Sequence, residues 1–189
     1  TRSNILQSNH TIEQFRGSGG TELIRALRRV YAEPKPADLS RTVVVVTDGY
    51  VTVEREAFEL VRRNLSQANV FAFGIGTSVN RHLIEGLARA GMGEPFVITR
   101  AEDAPQQAER FRRMIDSPVL TSVKARFEGL DVYDVEPLQL PDVLAERPVL
   151  VFGKWRGEPR GRVVVEGQSA GGAYREALPV GSHLAQDTA

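Results

Sequence analysis

The stretch Thr42-Val43-Val44-Val45-Val46-Thr47 constrains this chain more than any other feature. Six consecutive β-branched residues are stiff at χ1 and suit a pleated surface better than a helix. A strand wet on one side alternates apolar and polar residues. An unbroken run instead predicts a strand buried on both faces, the habit of parallel sheets sandwiched between helices. Asn69 to Gly76 (Asn-Val-Phe-Ala-Phe-Gly-Ile-Gly) reads as a second such strand, and Pro95 to Thr99 as a shorter third.

Helical patterns separate these runs. Asn4 is placed to cap a helix from about Ile5 to Phe15, with Ile5, Ile12 and Phe15 on one face. After the loop Gly17-Ser18-Gly19-Gly20, Thr21 is placed to cap a helix from Glu22 to Ala32. There Leu23, Ala26, Leu27 and Val30 form an i, i+3, i+4, i+7 stripe, and Pro34 and Pro36 stop it. Glu54 to Ala68 reads as helix, as do Arg81 to Ala90 (capped by Asn80, ended by Gly91) and Asp103 to Asp116. Alternating strands and helices imply right-handed crossovers and a doubly wound parallel α/β sheet.

The pattern changes after Ser117-Pro118. Val119–Phe127, Leu130–Val135, Val149–Trp155, Arg162–Glu166 and Ala173–Val180 read as strands punctuated by Gly, Pro and Asp, with no helix of useful length. The expected organisation is a partial α/β unit over residues 1–117, a small antiparallel β-rich domain over 118–180, and a polar, mobile tail over 181–189.

Composition excludes several function classes. Lys+Arg 24 against Asp+Glu 24 gives no net charge, which argues against non-specific nucleic-acid binding. No apolar run approaches the ~20 residues of a membrane-spanning helix. With no cysteine, disulfides, thiolate metal sites and cysteine nucleophiles are excluded. His10, His82 and His183 lack zinc-binding spacing.

One pair of sites could carry chemistry. Thr21 follows a glycine loop and opens a helix, and Asp48 follows the valine run in Thr47-Asp48-Gly49. In open α/β sheets ligands bind beyond the carboxyl ends of the strands. A hydroxyl and a carboxylate are hard oxygen ligands, suited to Mg²⁺, Mn²⁺ or Ca²⁺. They are expected within about 8 Å of each other, a span open to an ion and one water. The plainer reading stands beside this one: a helix cap and an Asp-Gly turn.

A second pattern, Gly167-Gln168-Ser169-Ala170-Gly171, matches the G-x-S-x-G nucleophile motif, with Glu176 and His183 following in hydrolase order. That chemistry requires a strained strand-to-helix turn. A strand-like continuation follows here, so a Gly/Ser hairpin turn explains the same letters.

The ordered set Gly19-Gly20-Thr21-Glu22-Leu23, Val43 to Gly49, and Val70 to Asn80 resembles the von Willebrand factor A domain. More narrowly it resembles bacterial proteins related to inter-alpha-trypsin inhibitor heavy chains, which carry a VIT domain, an A domain and further β structure. Asn80 to Gly93 and Ser117 to Val143 fit that subgroup. The resemblance implies a non-enzymatic, extracytoplasmic protein-binding or adhesion module. It also implies a metal-ion-dependent adhesion site in which Thr21 and Asp48 match two of three parts. A partner's acidic residue would complete the ion's shell. The third part, Asp-x-Ser-x-Ser, occurs nowhere in the sequence, and the segment carrying it is expected before Thr1. Mg²⁺, Mn²⁺ or Ca²⁺ is therefore expected in the complete domain, and no tightly bound ion is expected of this chain alone. By the same resemblance the valine run is the fourth strand of a 3-2-1-4-5-6 sheet. Without strands 1 to 3 it becomes an exposed edge, so two outcomes are expected as alternatives: a longer natural chain that covers it, or self-association through Thr42–Thr47. The rival readings are an enzyme, either an esterase using Ser169 or a nucleotide-binding α/β protein, and a metal-free structural interaction module.

Overall fold

In the computed structural model of the chain, residues 1–14, 22–36, 38–48, 53–145 and 147–181 are described. Helices α1 (Arg2–Gln14) and α2 (Leu23–Ala32) lead into strand β1 (Thr42–Thr47). Then α3 (Glu54–Arg63), β2 (Asn69–Ile75), α4 (Arg81–Ala90), β3 (Met92–Ile98) and α5 (Ala104–Ile115) alternate. The three strands are parallel, in the order β1-β2-β3.

β2 is the centre of the packing, buried from Asn69 through Gly74. Successive side chains of a strand point to opposite faces, so β2 divides between two cores. Val70 and Ala72 meet Leu27 of α2, Ala57 and Val61 of α3, and Leu83, Ile84 and Leu87 of α4. Phe71 and Phe73 meet Phe96 and Ile98 of β3 and Met114 of α5. The Phe73 and Phe96 rings stack with centroids 4.4 Å apart, and Phe111 of α5 stands edge-on to Phe71, Phe73 and Phe96. Such ring pairs contribute about 0.5–1.5 kcal/mol each beyond area burial.

The valine run departs from the expectation of burial on both faces. Val43 and Val45 pack against the helical core, but Val44 and Val46 are 42% and 59% exposed. Among the described residues the second core lies over β2 and β3, and β1 is the edge of this sheet, so the β1 side chains on that face are only partly covered. The bare edge expected from the strand order is thus present among the described residues.

Other boundaries shift for local reasons. α1 begins at Arg2 rather than Ile5, with Thr1 Oγ1 accepting from the Asn4 amide at 3.4 Å, and it buries no residue. Its expected Phe15 lies outside the described residues. α3 ends at Arg63 instead of Ala68, because Asn64 to Gln67 form turns, Asn64 donating through Nδ2 to the Leu60 carbonyl at 2.8 Å. β3 starts at Met92 rather than Pro95, with its register against β2 slipping between Val70 and Ala72.

The remainder is antiparallel: β4 (Pro118–Glu128), β5 (Asp131–Glu136), β6 (Val143–Leu144), β7 (Phe152–Arg156), β8 (Gly161–Ser169) and β9 (Gly172–Val180). One sheet runs β6-β4-β8-β9 and another pairs β5 with β7. The strand expected from Val149 forms only from Phe152. β6 was not foreseen, yet its Leu144, 2% exposed, inserts into the core around Phe71. Beside it, buried Asp142 accepts from Lys35 Nζ at 2.7 Å.

Candidate metal and partner site at the carboxyl edge of the sheet

The parallel register sets Thr47 beside Gly74, so Asp48 leaves the sheet level with the end of β2. Asp48 is exposed. Next to it the chain turns at Gly76, whose φ of +103° lies in a region glycine enters without a Cβ clash. The Gly76 amide donates to the Ile98 carbonyl at 2.8 Å, tying the ends of β2 and β3 together.

Two helices open on this side, and their first turns are cross-linked. Asn80 caps α4, its Oδ1 accepting from the Leu83 amide at 3.1 Å. Its Nδ2 donates to Oε1 of Glu54, the first residue of α3, at 2.8 Å. Glu54's own backbone amide, followed by Asn80, holds the Glu54 carboxyl below the usual carboxylate range. Its negative charge also suits a helix N-terminus. His82 stands edge-on to Phe58, with centroids 5.7 Å apart. The sequence identifies Asn80 as a cap but carries no local sign that Glu54 is its partner.

Of the two sequence-derived ligands, Asp48 occupies the expected strand end. Thr21 lies outside the described residues, as do Gly49 to Thr52, and the expected Thr21–Asp48 proximity falls there too. Among the described residues no group of three or more His, Asp or Glu side chains converges as a cation cage. Hard oxygen donors fit Mg²⁺ in kind. Two such donors fill part of an octahedral shell, which this ion commonly completes with several waters.

The G-x-S-x-G letters form a hairpin. β8 ends at Ser169 and β9 starts at Gly172. Ser169 Oγ donates to the Gly172 carbonyl at 3.0 Å and lies 3.3 Å from the Gly171 amide. Strand β9, not a helix, follows it among the described residues, Glu176 is engaged by the Tyr174 hydroxyl, and His183 is outside the described residues. The nucleophile elbow that an esterase requires is therefore not formed at Ser169.

Comparison with known proteins agrees with this architecture. The family profile described as von Willebrand factor type A domain matches residues 4–95. A human von Willebrand factor A domain-containing protein 5A is 33% identical over 124 residues, covering 64% of this chain and 16% of that protein. Pig inter-alpha-trypsin inhibitor heavy chain H2 is 24% identical over 174 residues, covering 84% of this chain and 18% of that protein. The chain thus spans under a fifth of the length of either relative. The solved structure of a von Willebrand factor type A protein from Catenulispora acidiphila superposes with a TM-score of 0.58 at 17% identity. It covers 91% of this chain and 49% of that one, a likeness of fold. Family profile, relatives and fold agree with one another: over residues 4–95 this chain carries a von Willebrand factor type A domain.

Proposed function

We propose that the chain is a non-enzymatic protein-binding or adhesion module of an extracytoplasmic protein, and that its binding edge is the carboxyl end of the parallel sheet. The observation that carries this reading is Asp48, exposed at the strand end where open α/β sheets bind their ligands. Asp48 and Thr21 would hold Mg²⁺, Mn²⁺ or Ca²⁺ together with water. The ion would offer an electrophilic position to a partner's carboxylate. Residues 1–117 would form the interaction domain and 118–180 a β-rich support.

Paramagnetic Mn²⁺ titrated into isotopically labelled protein tests the metal part. Broadening centred on amides around Asp48, abolished by Asp48→Ala, is the expected result. Uniform or absent broadening would remove the metal and leave a metal-free interaction module. A second mode rests on the bare edge of β1, where Val44 and Val46 are open: self-association through Thr42–Thr47.

A further inference from the structure

A second unpaired edge lies in the antiparallel part. On one side β4 pairs with β8 from Thr121 to Glu128. On the other side it pairs with β6 only at Pro118 and Leu120. From Val123 to Phe127, therefore, that side of β4 carries no strand among the described residues. The consequence is visible in the adjoining groove of about 560 Å³, which five consecutive residues, Val123 to Phe127, all line. A groove on one face of a sheet touches alternate residues, because neighbours point to opposite faces. Five in succession mark the rim of a sheet. The groove's far wall is the segment after β5, where Leu138 is 85% exposed.

The groove runs into an apolar crevice of about 470 Å³, with which it shares Val123, Ala125 and Phe127. There Trp155 of β7 and Leu178 of β9 are 51% and 47% exposed. Along this rim of β4 the odd-numbered residues are thus apolar and turned to the crevice. The even-numbered ones, Lys124 and Arg126, are exposed cations. Arg126 is paired with Glu166 at 2.5 Å, and Lys124 has no ion-pair partner among the described residues.

We propose that the free edge of β4 between Val123 and Phe127 is a strand-addition site for an extended segment of a partner protein. The segment would be apolar at alternate positions and acidic between them. Main-chain bonds to the edge supply affinity, and alternate side chains supply specificity. Apolar residues of the incoming strand cover the crevice beside Val123, Ala125 and Phe127, and its carboxylates lie against Lys124. A second copy of the chain fits poorly. Two-fold antiparallel pairing of β4 edges centred on Ala125 sets Lys124 against the other copy's Arg126, and pairing centred on Lys124 sets that residue against itself. Like charges directly opposite destabilise a ladder. The proposal is independent of the metal reading at Asp48.

The test uses the full 189-residue chain. The probe is a capped, fluorescent peptide, Thr-Val-Glu-Val-Glu-Val-Thr, followed by anisotropy and by amide shift mapping. Saturable binding with Kd below about 1 mM, with shifts confined to β4 and the crevice wall, is expected. Methylating alternate peptide nitrogens on the edge-facing side should abolish it. Lys124→Glu, at an exposed position, should weaken binding about 5-fold or more, roughly 1 kcal/mol. A peptide with Lys in place of Glu should then restore it. The site is overturned by failure to saturate, by unchanged binding of the methylated peptide, by shifts elsewhere, or by a β4-mediated dimer that the peptide does not dissociate.

Discussion

Lys35 Nζ lies 2.7 Å from Asp142 Oδ2, joining side chains 107 positions apart that are 6% and 2% exposed. Asp142 is otherwise fully engaged. Its Oδ1 accepts from the Ser122 amide at 3.1 Å, and its carbonyl accepts from Asn69 Nδ2 at 3.1 Å. One carboxylate thus bonds the end of the helical layer to β4, while its backbone bonds to the start of β2. Removing Asp142 leaves the Lys35 charge buried without a counter-charge, with the Ser66 carbonyl at 3.4 Å as its remaining acceptor, so Asp142→Ala should cost about 3–5 kcal/mol. The double variant Lys35→Met with Asp142→Leu should recover part of that, because isosteric apolar pairs often replace buried ion pairs without loss, while the Ser122 amide still loses its Asp142 acceptor. Urea denaturation of all three proteins checks it. A single-variant loss below about 1 kcal/mol would give the pair only the weight of a surface contact.

Gly93 in β3 should not tolerate a side chain. A Cβ there would stand 2.0 Å from the Val70 carbonyl oxygen, and backbone of the central strand cannot rotate away. Gly93→Ala should therefore destabilise by at least about 1–3 kcal/mol, the usual range for overpacking. Gly171→Ala is the control, since its nearest neighbour would be Ser169 Oγ at 3.8 Å. Equal melting temperatures for the two variants would contradict the close approach of β2 and β3.

Tyr31 gives a pH signature. Its hydroxyl is buried with no hydrogen-bond partner among the described residues, and burial raises its pKa from 10.0 to about 12. The unfolded chain then sheds this proton first as the solution turns alkaline. The contribution is whole below pH 10 and is lost as pH rises toward 12. Tyr31→Phe should lose this part of the alkaline slope. It should be neutral or stabilising by roughly 1 kcal/mol near neutral pH, since an unsatisfied polar atom is removed. Thermal melts of both proteins from about pH 7 to pH 11.5 compare the slopes. Parallel curves would place the hydroxyl in contact with water.

Val46→Lys should suppress self-association through β1. Val46 is 59% exposed on an edge strand, where a charge blocks pairing at little cost to the fold. Sedimentation velocity at several concentrations should show the variant monomeric where the parent associates. A parent that stays monomeric throughout would remove this contact.

How far the sequence reveals this structure differs from element to element. β2 was legible because its apolar run is covered on both sides, as the run implies. The equally apolar β1 misled, since a run reports what its side chains prefer and not whether a neighbouring layer reaches them. β6 has two residues, too few for any period, and gains its place from Leu144 entering a core already built. Asp142 reads as a turn residue after Pro141, because its partners Lys35, Ser122 and Asn69 are all distant in sequence. At the carboxyl edge, Asp48 was legible from its position after a strand. The Glu54–Asn80 contact was not, because it depends on how two crossover helices lie side by side.

The two ends of the burial scale have a kinetic consequence. α1 has 13 residues and buries none of them, and an isolated helix of that length is marginal in water. It unwinds at almost no free-energy cost, so a protease reaches its backbone from the folded protein and cuts at a rate set by enzyme concentration. β2 lies between two cores and opens only when the whole sheet does. Cleavage there waits on global unfolding. Digestion should therefore proceed in two separated phases, the first removing the amino-terminal helix and leaving a resistant remainder that begins before α2.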